Sequence, residues 1–428
     1  MNDKPPPIPT SFWGYLRSFG PGLVVVLTWL GAGDIVEMAV AGTSYGYSLM
    51  WVLVVAVLMR YLFVSLIAKY QLCNPHNESV LDGLVRLHPF FAPMLFGAAI
   101  VMGHIYGSYM TKGIAEATHI IVGWGPIWFW GIVGNGLALV LVFRPAYQMV
   151  ETLFKWLLAL LSVAFLSTAI QMQPNLADIG KGLTSFEVPA QENHKYGAML
   201  LVVGMVGAIG GSLMNLVYPY FIESKKWQGP QYRKLQLYDF LLAVVVMIIL
   251  NLAIWVLGAE AGFGTGLKVE EMGDLQSLLG NNLGTFTQKL FFCGIFGVVF
   301  TSLVGHALGL AYMGSHALVR MNGKLRDGTE KDSFAYRAIV VWCLISPIIW
   351  TVPGMPGFVT LTLVSNALQV LLLPIIAFGL LMITANSRFI GERYKNRWWE
   401  NGLMVAMLCL AVWSAYKAVA SVAATFSP

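Results

Sequence analysis

The sequence predicts an all-α integral membrane protein of about eleven spans, and three observations carry that reading. Of 428 residues, 57% are hydrophobic and only 11% charged, whereas a soluble domain averages roughly 25% charged. Mean hydropathy is +0.70. The apolar residues also fall in long runs, and about 20 residues of helix cross the hydrocarbon core of a bilayer. Hydrocarbon offers no water to backbone N–H and C=O groups, so such runs form helices that satisfy themselves. This composition excludes a soluble enzyme, a nucleic-acid binder and a disordered scaffold.

Eleven apolar segments lie at about 19–46, 48–70, 90–120, 125–143, 146–172, 195–224, 232–259, 287–319, 335–352, 356–384 and 399–421. The N-terminal stretch MNDKPPPIPTSFWGYLRSFG places prolines where the basic start of a cleavable leader would sit, so no signal peptide is expected. With eleven spans, 18 of the 26 Lys and Arg residues fall on the side of the N-terminus, 4 on the other and 4 within helices. The positive-inside rule then puts the N-terminus in the cytoplasm and the C-terminus outside a plasma or inner membrane. The two longest outer loops, about 173–194 and 260–286, are acidic. Four cysteines (Cys73, Cys293, Cys343, Cys409) have no CxxC spacing, and buried free thiols are expected.

The first segment reads GPGLVVVLTWLGAGDIVEMAVAGTSYGYSLMW. Gly31 and Gly33 are poor helix formers, each costing about 1 kcal/mol relative to Ala. A break there exposes backbone carbonyls near Leu30 and Gly31 and starts a second half-helix at Asp34. Asp34 and Glu37 are three residues apart and share one face of it. A charge at mid-membrane costs about 2.5–3.5 kcal/mol or more, which makes it a functional candidate. Two carboxylates with free carbonyls form a hard, all-oxygen cation site. The competing explanation is a capping box, with Asp34 as N-cap and Glu37 closing it.

The sixth segment repeats the pattern in AMLLVVGMVGAIGGSLMNLVYPYFIESKKW. Gly207, Gly210 and Gly211 cluster at its centre, followed by Ser212, Asn215 and Pro219. Two Gly-interrupted helices in matching positions of two five-helix halves point to a transporter's central site at an inverted-repeat interface. Close packing through small residues is the competing explanation. The expected division is a cytoplasmic segment 1–18, a first repeat 19–172, an extracellular loop 173–194, a second inverted repeat 195–384, and a loop with an extra helix over 385–428.

Other polar residues carry weaker signals. Lys112 and Glu116 have the spacing of a helical salt bridge. His104 and His119 are expected to bond to neighbours rather than bind metal, and His306 has no assignment. Ser365, Asn366 and Gln369 offer either ligands for a cation or its waters, or interhelical hydrogen bonds. No Walker motif, HExxH or GxSxG is present, so no ATP-driven pump or intramembrane hydrolase is expected.

These residues resemble the Nramp family of divalent-metal transporters. The likeness is clearest over segments 1–2, where family members carry a similar GPG start, a DPGN break and an AG..YGYSLLW run. It extends to Glu116, to Arg144 and Glu151, and to Ser365 with Pro374. The resemblance implies a leucine-transporter-like 5+5 inverted repeat plus one helix, with metal between helices 1 and 6, no catalytic residue and no cofactor. The departures bear on the cargo. Gly31-Ala32-Gly33-Asp34 stands at DPGN, Glu37 adds a carboxylate, and the Met-Pro-His of the sixth helix is missing. A thioether favours Mn²⁺ and Fe²⁺ over Mg²⁺, so its loss suits a partly hydrated Mg²⁺. In this the chain is similar to the Nramp-related magnesium transporters. The positions of the family's proton relay are held by Gly31, Leu213 or Met214, and Gly113.

The expected function is therefore uptake of Mg²⁺, with Mn²⁺ as a second substrate, by alternating access without proton coupling. The expected site is Asp34 and Glu37 with the carbonyls of Gly31 and Ala208, and with Ser212, Asn215 and Asn366. The expected partners are the ion and the lipid bilayer, without nucleic acid. The rivals are a proton-coupled Mn²⁺/Fe²⁺ transporter, a Na⁺-coupled symporter of a small organic solute, and a metal sensor without flux.

Overall fold

The computed structural model describes residues 7–9, 11, 13–15, 31–143, 156, 162–163, 165–190, 195–280, 285–324 and 333–426. The inner half of the first segment, most of the fifth, and Arg144 and Glu151 lie outside the described residues. Among the described residues every regular element is a helix. Eight are long and apolar enough to cross a membrane. The half-helix α1 (Ala32–Tyr45) opens the described bundle, followed by α2 (Met50–Cys73), the short α3 (Val80–Leu87) and the long α4 (Phe91–Val122). Then come α5 (Ile127–Val142), an outer-loop helix α6 (Leu176–Thr184), and the two parts of the broken sixth segment, α7 (Ala198–Met205) and α8 (Tyr218–Ser224). After α9 (Arg233–Gly262) and α10 (Met272–Gly280) come α11 (Thr285–Met321), α12 (Phe334–Ile345), α13 (Phe358–Gln369), α14 (Leu373–Ala385) and α15 (Trp398–Phe426).

The first half-helix begins two residues earlier than expected. Gly31 is extended (φ −91°, ψ −176°) and takes the N-cap position, with no side-chain cap. Helix starts at Ala32, and Asp34 lies in the first turn with its amide bonded to the Gly31 carbonyl at 3.2 Å. The capping-box explanation therefore fails: Asp34 is not the cap, and its carboxylate is available for other work. The sixth segment breaks as the glycines predict. After α7, a wide π-helical turn covers Val206–Gly210, with Gly211 N bonded to Val206 O at 2.9 Å. Ser212 is extended and its Oγ accepts from Met214 N at 3.3 Å. A 3₁₀ turn, Leu213–Val217, then leads into α8, where Pro219 occupies the first turn.

The tenth segment, expected as one helix, is also interrupted. A 3₁₀ turn at Val370–Leu372 separates α13 from α14, because Pro374 has no N–H to give the preceding turn. Glycines set the closest helix crossings. A Cβ on Gly42 would lie 2.5 Å from the Trp255 carbonyl oxygen, and one on Gly258 would lie 2.6 Å from that of Ala39. The α1–α9 contact thus requires bare backbone on both sides, and Trp255 Nε1 seals it with a 2.8 Å bond to Gly46 O. Of the cysteines, Cys73 and Cys343 are buried free thiols as expected, Cys293 is half-buried, and Cys409 is exposed on α15. The expected burial of Cys409 fails because α15 flanks the bundle and turns one side away from it.

Candidate metal centre

Both helix breaks open on one cavity. Gly31, Gly33 and Asp34 from the first break line it with Ala208 and Ser212 from the sixth, Arg60 from α2, Tyr109 from α4, His306 from α11, and Asn366 and Gln369 from α13. It offers about 20 Å³ to the centre of a water-sized sphere, and roughly 10–15 Å³ suffices for one water. In this conformation the space suits a bare or thinly hydrated ion.

Asp34 is 3% exposed and Glu37 1%. Asp34 Oδ2 and Glu37 Oε1 have no hydrogen-bond partner among the described residues. Asn251 of α9 stands close enough to act on Asp34, yet both atoms of its amide lie outside hydrogen-bonding geometry. Buried polar atoms without partners are rare in native proteins and call for an explanation. A cation is one that serves both carboxylates together.

Glu37 lies about one helical turn after Asp34 on α1. Asn366 Nδ2 donates to its Oε2 at 2.5 Å, and Gln369 Nε2 donates to Asn366 Oδ1 at 3.3 Å. The α7 backbone approaches so closely that a Cβ on Gly204 would sit 2.2 Å from Glu37 Oε1. Gly207 is as tightly placed, 2.4 Å from the Asn366 carbonyl oxygen by the same construction. The glycines of the sixth segment therefore both break the helix and admit α1 and α13 to its side. His306 Nδ1 lies 2.8 Å from the Ser302 carbonyl. A carbonyl only accepts, so Nδ1 carries the proton and Nε2 keeps a lone pair. No methionine among the described residues lines the cavity.

The expected ligands fall into three places. Gly31, Asp34, Ala208, Ser212 and Asn366 line the cavity itself. Glu37 joins it through Asn366. Asn215 is buried behind it, with Nδ2 donating to Gly210 O at 3.3 Å and Oδ1 without a partner. Ser365 bonds instead to α4, donating to Ile105 O at 3.1 Å. Arg60 was not expected. It is 2% exposed, and its guanidinium donates to Ile209 O through Nε, to Ala208 O at 2.5 Å and to Met247 Sδ at 3.0 Å. One signal was available in the sequence, a lone charge in the middle of the second apolar run, VLVVAVLMRYLFV.

Away from the cavity, Lys112, Glu116 and His104 bond to neighbours as expected, whereas His119 Nδ1 has no partner among the described residues. Lys112 Nζ lies 3.9 Å from Glu116 Oε1, which also accepts from Phe358 N at 3.3 Å. His104 Nε2 accepts from Trp350 Nε1 at 3.0 Å, and its Nδ1 lies 3.1 Å from Ser346 Oγ.

Residues 22–421 match the family model "Natural resistance-associated macrophage protein-like". The chain belongs to the Nramp family. Nramp members are divalent-metal transporters and not enzymes; they use no cofactor, the metal being their cargo. Among solved structures, the fold is similar to the Eremococcus coleocola manganese transporter in complex with an aromatic bis-isothiourea compound. That match has a TM-score of 0.74 at 17% identity, over 99% of this chain and 90% of that one. A point mutant of the same transporter matches at 0.71 and 16%, over 99% and 95%. More distant likenesses include Mhp1, of the nucleobase-cation-symport-1 family, at 0.57 and 9% over 95% and 91%. MhsT in complex with L-phenylalanine matches at 0.56 and 12%, over 96% and 99%. The Nramp fold of this chain is thus that of leucine-transporter-like carriers, with its sixth segment broken and the described part of its first starting a helix at Ala32.

Proposed function

We propose that this Nramp chain carries divalent cations into the cytoplasm by alternating access, Mg²⁺ first and Mn²⁺ second, without co-transported protons. The observation that carries the reading is the pair of buried carboxylates at the first break, each with an unpartnered oxygen. Asp34 shares the cavity with amide, hydroxyl and carbonyl oxygens and, among the described residues, no thioether, and Glu37 joins it through Asn366. Hard oxygen donors suit Mg²⁺, and in this conformation Asn366, Gln369 and Ser212 line a cavity with room for about one water. His306 supplies a nitrogen lone pair, a ligand type that transition metals accept more readily than Mg²⁺ does, and this supports Mn²⁺ as second cargo.

In this reading Asp34 and Glu37 neutralise the ion, the Gly31 carbonyl completes part of its shell, and the two five-helix halves, 19–172 and 195–384, rock about it. The basic cytoplasmic side orients the chain with its N-terminus inside. A cytoplasm-negative potential then favours inward movement by about 2.3 kcal/mol per charge per 100 mV, roughly 4.6 kcal/mol for a divalent ion. Among the described residues no group of three or more His, Cys, Asp and Glu is placed to hold a metal ion, so in this reading the cargo rests on two carboxylates with neutral donors.

The test is a proteoliposome flux assay with Mg²⁺, Mn²⁺ and Ca²⁺ and a pH dye inside. Uptake of Mg²⁺ and Mn²⁺ without internal acidification is expected, and D34A should reduce it to background. Acidification in step with metal would establish proton coupling. Na⁺-dependent uptake of an organic solute with no metal flux would sink the reading.

A further inference from the structure

Moving a divalent cation gives no evident work to a buried arginine, yet Arg60 lines the cavity between the two helix breaks. Its position is built, not incidental. Nε and Nη2 span the successive carbonyls of Ile209 and Ala208, which the wide turn of the sixth segment frees from helical bonding, and Met247 of α9 holds Nη1. The planar fork of a guanidinium suits this two-point hold as an ammonium does not. The charge is thus kept at the wall of the cavity that Asp34 shares, and Asp34 is the carboxylate whose charge acts on it.

An alternating-access carrier crosses its occluded state twice per cycle, once loaded and once empty. Loaded, the two carboxylates are neutralised by the cargo. Empty, they would have to pass through a low-dielectric state uncompensated, which is strongly unfavourable. Coupled carriers can resolve this by sending a proton or Na⁺ back through the site. We propose that Arg60 is a tethered counter-cation: it compensates the unloaded carboxylate site and so lets the empty carrier return without a coupling ion. The proposal rests on the divalent-cation reading above. It makes Arg60 a positioning residue that competes with the metal for Asp34. The same guanidinium also holds the Ala208 carbonyl, so that oxygen reaches a metal only through its second lone pair or after Arg60 moves.

The experiment separates the two crossings in proteoliposomes, with radioactive Mn²⁺ as probe. Net uptake into empty vesicles needs the unloaded return; exchange between Mn²⁺-filled vesicles and outside tracer does not. For R60Q, net uptake should fall at least about tenfold further than exchange does, relative to the parent. R60K, which keeps the charge, should retain both modes. An equal fall of both modes in a monodisperse R60Q protein would make Arg60 a mere clamp of the helix break and overturn the proposal. So would unchanged net uptake in R60Q, or R60K as slow in net uptake as R60Q. Should R60Q fail to fold, R60K decides: net uptake lost with exchange retained overturns the proposal, and both retained supports it. A parent protein that exchanges neither Mn²⁺ nor Mg²⁺ would be a different failure, that of the divalent-cation reading itself.

Discussion

The cavity at mid-membrane and the polar cluster around Asp82 use the same kinds of side chain to opposite ends. Each joins an aspartate with an arginine and a histidine. Around Asp82 both carboxylate oxygens are taken. Oδ1 meets His316 Nε2 at 3.0 Å and Arg320 Nε at 3.2 Å, and Oδ2 accepts from Ser79 Oγ at 2.8 Å. His316 Nδ1 lies 3.1 Å from the Tyr220 hydroxyl, so the cluster ties α3 and α11 to α8, the far half of the broken sixth segment. Among the described residues, Asp34 Oδ2 at the cavity and Glu37 Oε1 beside it have no such partners. The composition of a polar cluster therefore does not decide its role; satisfaction does. A closed cluster specifies packing, and an open one leaves buried polar atoms that call for an explanation, for which we propose a cation.

The largest expected effect breaks the open site. D34N removes one charge from a pair facing a divalent ion, and titration calorimetry should show Mn²⁺ affinity weakened at least about 100-fold, or roughly 2.7 kcal/mol. Stability should move by under about 1 kcal/mol, because one carboxylate and one guanidinium remain to balance each other. A D34N protein that binds as tightly as the parent would remove Asp34 from the site. D82N is the mirror case. It leaves metal binding unchanged and lowers unfolding stability in detergent by about 2 kcal/mol, the usual scale for breaking a well-partnered buried charge.

The closed cluster also makes a pH prediction. Burial alone would raise the pKa of Asp82, but the His316 and Ser79 hydrogen bonds and the His316 and Arg320 charges outweigh it and hold it at about 2. A depressed carboxylate contributes stability in full above its unfolded value, near 3.8, and loses it as pH falls through about 2. The parent's advantage over D82N should thus be flat from about pH 5 to 8 and shrink below about pH 4. A difference that varies between pH 5 and 8 would show that another group governs the cluster.

Both helix breaks were legible in the sequence, because glycine clusters and charges inside apolar runs are local signals. Asp34 and Glu37 follow from those signals alone, and Asn366 and Ser212 from polar residues in otherwise apolar helices. What was not legible depends on reach between helices. Arg60 is marked in the sequence only as a lone charge in an apolar run, and the tertiary fold alone brings its fork to the carbonyls of Ala208 and Ile209. Asp82 and His316 are 234 residues apart, and no spacing rule joins them. Asn251 carries no local mark that separates facing Asp34 from facing a neighbouring helix. Sequence shows where a chain is costly to bury; the fold shows what offsets that cost.

The smallest expected effect tests whether polarity near the cavity is itself sufficient for function. Ser365 is adjacent in sequence to Asn366, yet the two side chains serve different contacts. Asn366 bonds Glu37, whereas Ser365 Oγ donates to Ile105 O at 3.1 Å and lies 3.3 Å from Ser108 Oγ. Interhelical hydrogen bonds in membrane proteins average about 0.6 kcal/mol, since the unfolded chain in lipid finds other partners. S365A should therefore lower stability by about that amount and leave Mn²⁺ affinity and flux at the parent level. N366A, one position along, should impair both, because it strips Glu37 Oε2 of its donor at the cavity wall. Equal losses of transport in the two variants would mean that the α4–α13 contact, and not the cavity lining, sets the rate.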